Sequence, residues 1–299
     1  MTSQTSDRQR LPEWLKKRPG KLNASRTLSN KLDKEAPNTI CQEAKCPNRG
    51  ECFSKGLLTF MILGTVCTRN CAFCSVRHGR PMPPDKGELD HILNAVDRLN
   101  LKFVVLTSPN RDDLPDGGAS HYVHIVQGIK TAFPHVKVEV LIPDFQGNRD
   151  DLAVVVNEAK PDVLNHNVET VPSLYTTVRK GSLYKRSMDV LAAAKEMNPK
   201  LLTKTGIMMG LGETVEEVET VMRDANERKV DIMTMGQYLR PDKENLPVEK
   251  YWSPDEFDDL KKRAQDIGIR YVFSGPLVRS SYLAEHVFDD LSGKDNPFA

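Results

Sequence analysis

Three cysteines in the segment 67–74 have the spacing of an iron–sulfur cluster site. Cys67, Cys71 and Cys74 are separated by three and two residues, and they follow an apolar run at 57–64 that is typical of a buried strand. Three thiolates can bind three irons of a 4Fe-4S cluster, which normally takes four protein ligands. The pattern therefore predicts a cluster whose fourth iron is open to a ligand other than a cysteine of this loop.

A second group of cysteines precedes the first, with the spacing C-x4-C-x5-C. Cys41, Cys46 and Cys52 share their segment with Pro47 and Gly50, which favour a loop over a helix or a strand. A structural zinc ion takes four ligands, and because 41–52 contains no histidine, a Cys3His zinc site would need a distant one. That zinc site stays an alternative, and a second iron–sulfur cluster with an unusual fourth ligand fits at least as well.

The composition favours metal binding in a cytoplasmic protein. All six cysteines lie between residues 41 and 74, whereas disulfides typically staple a whole secreted chain. The net charge of +1, from 42 basic and 41 acidic side chains, lacks the excess typical of nucleic-acid binding. No apolar stretch is long enough to span a bilayer, and the polar N-terminus lacks an apolar signal core. We therefore expect a cytoplasmic protein that binds neither nucleic acid nor membrane.

Segments with the periodicity of strands alternate with helical segments after the cysteines. The expected strands are 57–64, 101–107, 136–142, 162–165, 201–209 and 231–238, with a last extended run at 269–274. The expected helices are 85–100, 118–133, 149–159, 172–197 with a break near Gly181, 215–228 and 254–267. Such alternation predicts a parallel sheet with right-handed crossovers, and about six core strands are fewer than the eight of a closed barrel. The predicted fold is α/β, a partial (β/α)6 TIM-like barrel at 57–275, with an N-terminal cluster-binding extension at 1–56 and a C-terminal tail at 276–299.

Polar and glycine-rich segments follow four of the predicted strands, at the edge where parallel sheets bind ligands. They are 107–118, 165–170, 206–214 and 236–238. Asp, Asn, Ser, Thr and Gly also begin helices and form turns, so each segment alone could be structural. Four such segments on one rim, beside the cysteine loop 67–74, predict a ligand site.

The first cysteine pattern, with Phe73 directly before its last cysteine, resembles that of the radical S-adenosylmethionine (SAM) superfamily. Within that superfamily the chain resembles the lipoyl synthase family from about Cys41 to Tyr282. The matching segments are the cysteine group 41–52 and the segments 107–118, 167–170, 210–214, 236–239 and 279–282. Both cysteine patterns joined to the Arg-Ser-Ser-Tyr sequence at 279–282 make the resemblance specific.

The resemblance implies two 4Fe-4S clusters. The ligands of the cluster that binds SAM would be Cys67, Cys71 and Cys74. The ligands of an auxiliary cluster would be Cys41, Cys46, Cys52 and Ser281. Sequence alone would make Ser281 a helix N-cap, and serine is a hard ligand among soft thiolates, so its role comes from the resemblance.

Six residues are implied as SAM contacts: Phe73, Thr107, Ser108, Asn167, Glu169 and Arg179. Phe73 would lie near the adenine, with core packing as its alternative. Glu169 would bind ribose hydroxyls, with a helix-start carboxylate as its alternative. Arg179 would pair with the methionyl carboxylate, with a solvated helix arginine as its alternative. The Gly-Gly-Glu run common in the superfamily is absent after the second strand, which leaves the contacts there open.

The implied activity is insertion of sulfur at C6 and C8 of an octanoyl chain that is amide-linked to a lysine of a carrier protein. Acid–base groups cannot open an unactivated C–H bond, so a radical cofactor must do so. The implied carriers are lipoyl domains of 2-oxoacid dehydrogenase E2 subunits and the glycine cleavage H protein. The other implied partners are an electron donor such as ferredoxin or flavodoxin and a cluster-repair carrier. A biotin-synthase-like sulfur inserter and a zinc- or iron–sulfur-bearing scaffold without activity are the alternatives.

Overall fold

The computed structural model describes residues 10–16, 37–46, 48, 52 and 58–281. Parts of the predicted extension 1–56 and tail 276–299 therefore lie outside the described residues, including Pro47, Gly50 and Tyr282. The strands are β1 Thr59–Met61, β2 Val66–Cys67, β3 Arg77–His78, β4 Phe103–Thr107, β5 Lys137–Leu141, β6 Val163–Asn165, β7 Leu202–Met209, β8 Ile232–Gln237 and β9 Tyr271–Gly275. The α-helices are α1 Ile40–Glu43, α2 Glu88–Leu99, α3 Ala119–Ala132, α4 Arg149–Val154, α5 Tyr175–Val178, α6 Tyr184–Met197, α7 Val215–Glu227 and α8 Pro254–Ile267.

Seven parallel strands form one sheet in the order β1-β4-β5-β6-β7-β8-β9. β1 and β9 lie at opposite edges of this order, so the described sheet is an open, partial barrel, as the alternating pattern predicts. The expected six core strands are one too few. The extended run at 269–274, which follows helix α8, is the seventh strand: it pairs with β8 over five residues as β9.

Alternate side chains of the strands pack outward against the helices. Val104, Leu106, Val138 and Val140 are buried in one apolar cluster with residues of the surrounding helices. A second cluster lies on the later strands and includes Met209, Met233 and Met235. Parallel strands whose two faces are both covered are typically rich in such residues. The other face of the strands is turned toward the barrel interior and the cavity described below.

Local sequence explains several helix ends. Capping boxes at Thr214 and Ser253 begin α7 and α8. The helical segment expected at 172–197 with a break near Gly181 is confirmed: a 3-10 turn at Pro172–Leu174 is followed by α5 and α6, and Gly181 lies between the two helices with φ of +81°. That left-handed conformation suits glycine and ends a helix. In the described part of the chain, no helix has the length and apolar character needed to cross a bilayer.

Candidate functional site

A cavity of about 520 Å³ opens where the parallel strands end. Its walls include residues at the carboxyl ends of β1, β4, β5, β7 and β8. The cavity brings together cysteines of both groups with the tail segment 278–281. These converging residues are Cys41, Cys46, Cys67, Cys71, Cys74, Val278, Arg279, Ser280 and Ser281. Folding thus places cysteines of both groups and Ser281, the predicted serine ligand, around one cavity.

Backbone amides point at two sulfurs of the cysteine loop. The N–H groups of Arg69 and Asn110 donate to Cys67 Sγ at 3.4 and 3.3 Å. The N–H of Val76 donates to Cys74 Sγ at 3.4 Å. Hydrogen bonds to the sulfurs of a cluster stabilise thiolate charge and help to set its reduction potential. The loop is therefore arranged for ligating thiolates rather than for packing alone.

Burial raises the pKa of three of the thiols. Loss of solvation raises the pKa of Cys71 to about 11 and that of Cys74 to about 12. Burial likewise raises the pKa of Cys41 to about 11. Metal binding must therefore displace protons from these thiols. Within residues 10–16, 37–46, 48, 52 and 58–281, no three His, Cys, Asp or Glu side chains lie close enough together to bind one metal ion.

Arg69, inside the cysteine loop, forms a buried clamp that sequence reasoning missed. Its guanidinium donates to both oxygens of Asp112 at 2.8 Å and to both oxygens of Asp144 at 2.6 and 2.9 Å. Burial opposes its charge, but the two carboxylates raise the pKa of Arg69. Arg69 also donates to Ser182 at 3.1 Å. The loop is thereby tied to the segments that follow β4 and β5, and only the rim position of Asp112 was visible in the sequence.

The segment 239–246 braces the other side of the cysteine loop. Asn245 Nδ2 donates to the backbone oxygens of Ala72 and Cys74 at 3.2 and 2.9 Å. The N–H of Leu246 also donates to Ala72 O at 3.1 Å. Cysteine spacing alone does not hold three thiols in place, and these bonds supply part of the support.

Asn167 and Glu169 lie on the cavity wall, as predicted. Asn167 Nδ2 donates to Glu169 Oε1 at 3.1 Å, while Asn167 Oδ1 is buried without a partner among the described residues. Burial raises the pKa of Glu169, and its backbone has φ of +68°, a conformation that is uncommon outside glycine. An unpartnered amide oxygen and a carboxylate facing one cavity suit hydroxyl and amino donors of a ligand.

Gly206 keeps this wall open. A Cβ at Gly206 would lie 2.6 Å from Thr234 Oγ1 and 2.9 Å from Asn167 Oδ1. Real Cβ atoms do not approach that closely, so only glycine leaves Asn167 in position beside the cavity. The cradle at Gly206 and the orphaned oxygen of Asn167, together with three thiols on one loop, fit SAM and a cluster with an open iron.

Arg179 lines the cavity and is only 8% exposed, so its alternative as a solvated helix arginine is wrong. Its Nη1 donates to Asn167 O at 2.8 Å, Ser187 Oγ at 2.8 Å and Tyr175 Oη at 3.0 Å. Burial opposes its charge, but Tyr175 and Glu169 raise its pKa. It is thus a cation fixed beside the cysteine loop.

Phe73, Thr107 and Ser108 also line the cavity. Phe73 packs against an apolar group that contains Val178 and Tyr238. It therefore contributes to core packing and also lines the cavity. Thr107 Oγ1 donates to Leu141 O at 3.3 Å, and Ser108 Oγ lies 3.0 Å from Tyr122 Oη, which donates to Leu141 O at 2.8 Å. Both hydroxyls already make internal bonds, and their role toward SAM stays a prediction.

The cysteines of the group 41–52 lie on and after a short helix. Cys41 is buried in α1, and Cys46 follows it on the cavity wall. Cys52 is partly buried and is not one of the described residues lining the cavity. Asn48 Nδ2 donates to Leu277 O at 2.5 Å, which joins this segment to the tail.

The tail passes directly over β8. A Cβ at Gly236 would lie 2.0 Å from Val278 O, which explains a glycine near the carboxyl end of the buried strand β8. The segment 210–214 forms a turn held by its own contacts. Gly210 leaves room for Gln237 and for the backbone of Lys250. Glu213 accepts hydrogen bonds from Gly210 N, Leu211 N and Trp252 Nε1. Residues 209–214 do not line the cavity, so the expectation that all of 206–214 belongs to the site is wrong beyond Met208.

Comparisons with known proteins agree with this geometry. Residues 61–225 match the family model described as Radical SAM superfamily. A lipoyl synthase of Nitrosococcus oceani is 46% identical over 94% of this chain and 87% of that protein. A lipoyl synthase of Caldanaerobacter subterraneus subsp. tengcongensis is 51% identical over 92% of this chain and 96% of that protein.

Solved structures show the same fold at low identity. Streptococcus suis SuiB bound to S-adenosylmethionine has a TM-score of 0.55, with 11% identity, 76% of this chain covered and 54% of that chain. Methylornithine synthase has a TM-score of 0.50, with 16% identity, 93% of this chain covered and 86% of that chain. Membership of the radical SAM superfamily implies SAM and a 4Fe-4S cluster as cofactors. From these identities and the matched domain, the chain belongs to the lipoyl synthase family of radical SAM enzymes.

Proposed function

We propose that this enzyme inserts sulfur at C6 and C8 of an octanoyl chain that is amide-linked to a lysine of a carrier protein. Family membership supports the proposal. The observation that carries it is that five of the six cysteines and Ser281 line one cavity. Two metal centres side by side would let a carbon radical formed at one be quenched by sulfur from the other.

We assign the two cysteine groups to different clusters. Cys67, Cys71 and Cys74 would hold the cluster that binds SAM. Cys41, Cys46, Cys52 and Ser281 would hold the auxiliary 4Fe-4S cluster. The chemistry that these groups would supply when bound is hydrogen abstraction by a 5′-deoxyadenosyl radical and donation of sulfur.

The chain's own residues would bind, orient and shield. Arg179 would pair with the SAM carboxylate, and Glu169 and Asn167 would bind its hydroxyl and amino groups. Phe73, Thr107 and Ser108 would complete the wall. Met208, which lines the cavity, would contact an apolar acyl chain. In this arrangement 57–275 is the radical SAM barrel, while 1–56 and 276–299 carry the auxiliary site.

The partners follow from the substrate and the electrons it requires. The carriers would be lipoyl domains of 2-oxoacid dehydrogenase E2 subunits and the glycine cleavage H protein. A ferredoxin or flavodoxin would supply electrons, and a cluster-repair carrier would restore the auxiliary cluster. We propose that the enzyme acts with these partners in the cytoplasm and binds neither nucleic acid nor membrane.

The direct test uses anaerobically purified enzyme, SAM, dithionite and an octanoylated carrier domain. We expect mass spectrometry to find two sulfur atoms on the carrier and two deoxyadenosines formed for each lipoyl group. Deoxyadenosine without a thiolated carrier would show a radical SAM enzyme with another substrate, such as a biotin-synthase-like inserter. One zinc per chain and no sulfide would establish the scaffold alternative.

Variants separate the two clusters. Cys67→Ala should abolish SAM cleavage, whereas Cys41→Ala should preserve much of it and abolish sulfur insertion. Equal effects of both changes would contradict the assignment. Ser281→Cys should retain the auxiliary cluster, measured as iron and sulfide, but block sulfur release, and full activity would contradict a ligand role for Ser281.

A further inference from the structure

The guanidinium of Arg179 is held through one of its three nitrogens. Within the described residues, every hydrogen bond of its guanidinium leaves from Nη1. Its Nη2 and Nε are therefore the groups that remain for a ligand in the cavity that Arg179 lines. A buried guanidinium held through one nitrogen has a defined orientation only if the acceptors on that nitrogen are themselves fixed.

One of these acceptors is part of a chain of buried hydrogen bonds. Ser187 Oγ lies 3.0 Å from His166 Nε2, and His166 Nδ1 lies 2.9 Å from Ile142 O. A carbonyl oxygen only accepts, so Nδ1 carries the proton and Nε2 of the neutral ring accepts from Ser187. Since the single hydroxyl proton of Ser187 is used there, Ser187 must accept from Arg179. Each donor and acceptor in the chain is thus determined.

This series of hydrogen bonds connects several elements of the fold. His166 directly follows β6, Ile142 directly follows β5, and Ser187 lies in α6. His166 and Ser187 are both fully buried, at 0% exposure. Burial, and then the positive charge of Arg179, lower the pKa of His166 to about 4, so the ring is neutral at the pH of the cell. The rim of the barrel therefore sets the guanidinium through neutral, directional contacts.

We propose that His166 and Ser187 are positioning residues that orient Arg179 toward the carboxylate of SAM. This inference rests on the proposed function, in which Arg179 binds that carboxylate. Neither residue lines the cavity, and both act through the Nη1 end of Arg179, which leaves its Nη2 and Nε for the ligand.

The experiment compares SAM with decarboxylated SAM, which keeps the sulfonium and amine but lacks the carboxylate. Binding to cluster-loaded enzyme is measured for wild type, Ser187→Ala and His166→Gln. We expect the Kd for SAM to rise about five- to tenfold in each variant, since one directional bond is lost, and the Kd for decarboxylated SAM to change less than twofold. In turnover, KM for SAM should rise more than kcat falls.

Thr205→Val is the matched control. Thr205 is as buried as Ser187 and donates to His166 O at 2.9 Å, but it is not part of the chain to Arg179. It should lower the thermal midpoint about as much as Ser187→Ala and leave the ratio of the two affinities unchanged. If Ser187→Ala does not fold, Tyr175→Phe, which removes another acceptor from Nη1, should give the same selective loss.

A double variant closes the test. Because Ser187 acts through Arg179, Arg179→Met with Ser187→Ala should bind SAM no more weakly than Arg179→Met alone. Additive losses, or equal losses for both ligands, would overturn the inference. If wild-type enzyme binds SAM and the variants bind it with the same Kd, the positioning role of His166 and Ser187 is refuted but the proposed function is not. If wild-type enzyme does not bind SAM, the proposed function is refuted as well.

Discussion

Replacing Arg69 with methionine should destabilise the protein strongly, because it removes one side of a buried ion cluster. Met keeps the length and apolar character of the side chain but leaves two carboxylates without their cation. The side chain of Arg69 is 7% exposed, that of Asp144 is fully buried, and that of Asp112 is 30% exposed. Removing one partner of a buried ion pair typically costs about 3–5 kcal/mol.

The lower end of that range is the better estimate for this site. Asp112 can be solvated, and Asp144 keeps a bond from Gln146 N at 3.1 Å and lies 3.4 Å from Arg186. We therefore expect a loss of about 3 kcal/mol in the free energy of unfolding. For a chain of 299 residues, whose unfolding entropy is about 2.1 cal/mol/K per residue, that loss lowers Tm by roughly 5 °C.

The assay is thermal and urea-induced unfolding of anaerobic, cluster-loaded protein followed by circular dichroism, with iron retained after a chelator challenge as a second readout. Arg149→Met is the matched control, since Arg149 pairs with Glu196 at 2.7 Å with side chains 60% and 63% exposed. Exposed pairs contribute at most about 1 kcal/mol. We expect Arg149→Met to retain its iron and the Tm of the wild type, whereas Arg69→Met should lose iron to the chelator and have a lower Tm.

A second change should partly rescue the first. Asp144→Asn removes the stranded charge but keeps an oxygen for the Gln146 N–H, so adding it to Arg69→Met should recover part of the lost stability. Equal losses in the free energy of unfolding for Arg69→Met and Arg149→Met would refute the clamp. So would a loss in the double variant larger than the sum of the losses in Arg69→Met and Asp144→Asn.

Three other substitutions test the geometry of the site. Gly236→Ala places a Cβ 2.0 Å from Val278 O, so the tail must move, and we expect auxiliary-cluster iron and product to fall while SAM cleavage persists; unchanged product would contradict the crossing of the tail over β8. Gly206→Ala displaces Asn167 or its neighbours, so the Kd for SAM should rise at least tenfold without a comparable loss of Tm, and unchanged binding would remove the case for the Gly206 wall. Asn245→Ala removes two bonds to backbone oxygens of the cysteine loop, and iron release from that loop to a chelator should quicken severalfold relative to wild type; equal release rates would show that the brace is dispensable.

Part of the site was visible in consecutive residues. The spacing of Cys67, Cys71 and Cys74 and the alternation of strands and helices are local patterns, and both predict the observed loop and parallel sheet. The polar segments after the strands predicted Asn167 and Glu169 on the cavity wall for the same reason. Parallel strands bring their carboxyl ends to one edge, so a pattern along the chain becomes a position in space.

The same reasoning overreached where one pattern has two physical causes. The glycines and Glu213 of 210–214 form a turn that leads to the N-cap of α7, and this need accounts for them without a ligand. The extended run at 269–274 carried no signal that separates an edge strand from a loop, because edge pairing depends on what lies beside it. Only the register with β8 decided that it is a seventh strand.

The sequence by itself determined which residues could bind iron and in what order strands and helices would follow, since cysteine spacing and hydrophobic period are properties of neighbours in the chain. Tertiary structure alone decided what supports them. Arg69 meets Asp112 and Asp144 across 43 and 75 residues, and Gly236 is required because a distant tail crosses it. Arg179 reads as an ordinary helix arginine until folding buries it against Ser187 and the cavity. Such contacts depend on packing between segments far apart in the chain, which no local pattern encodes.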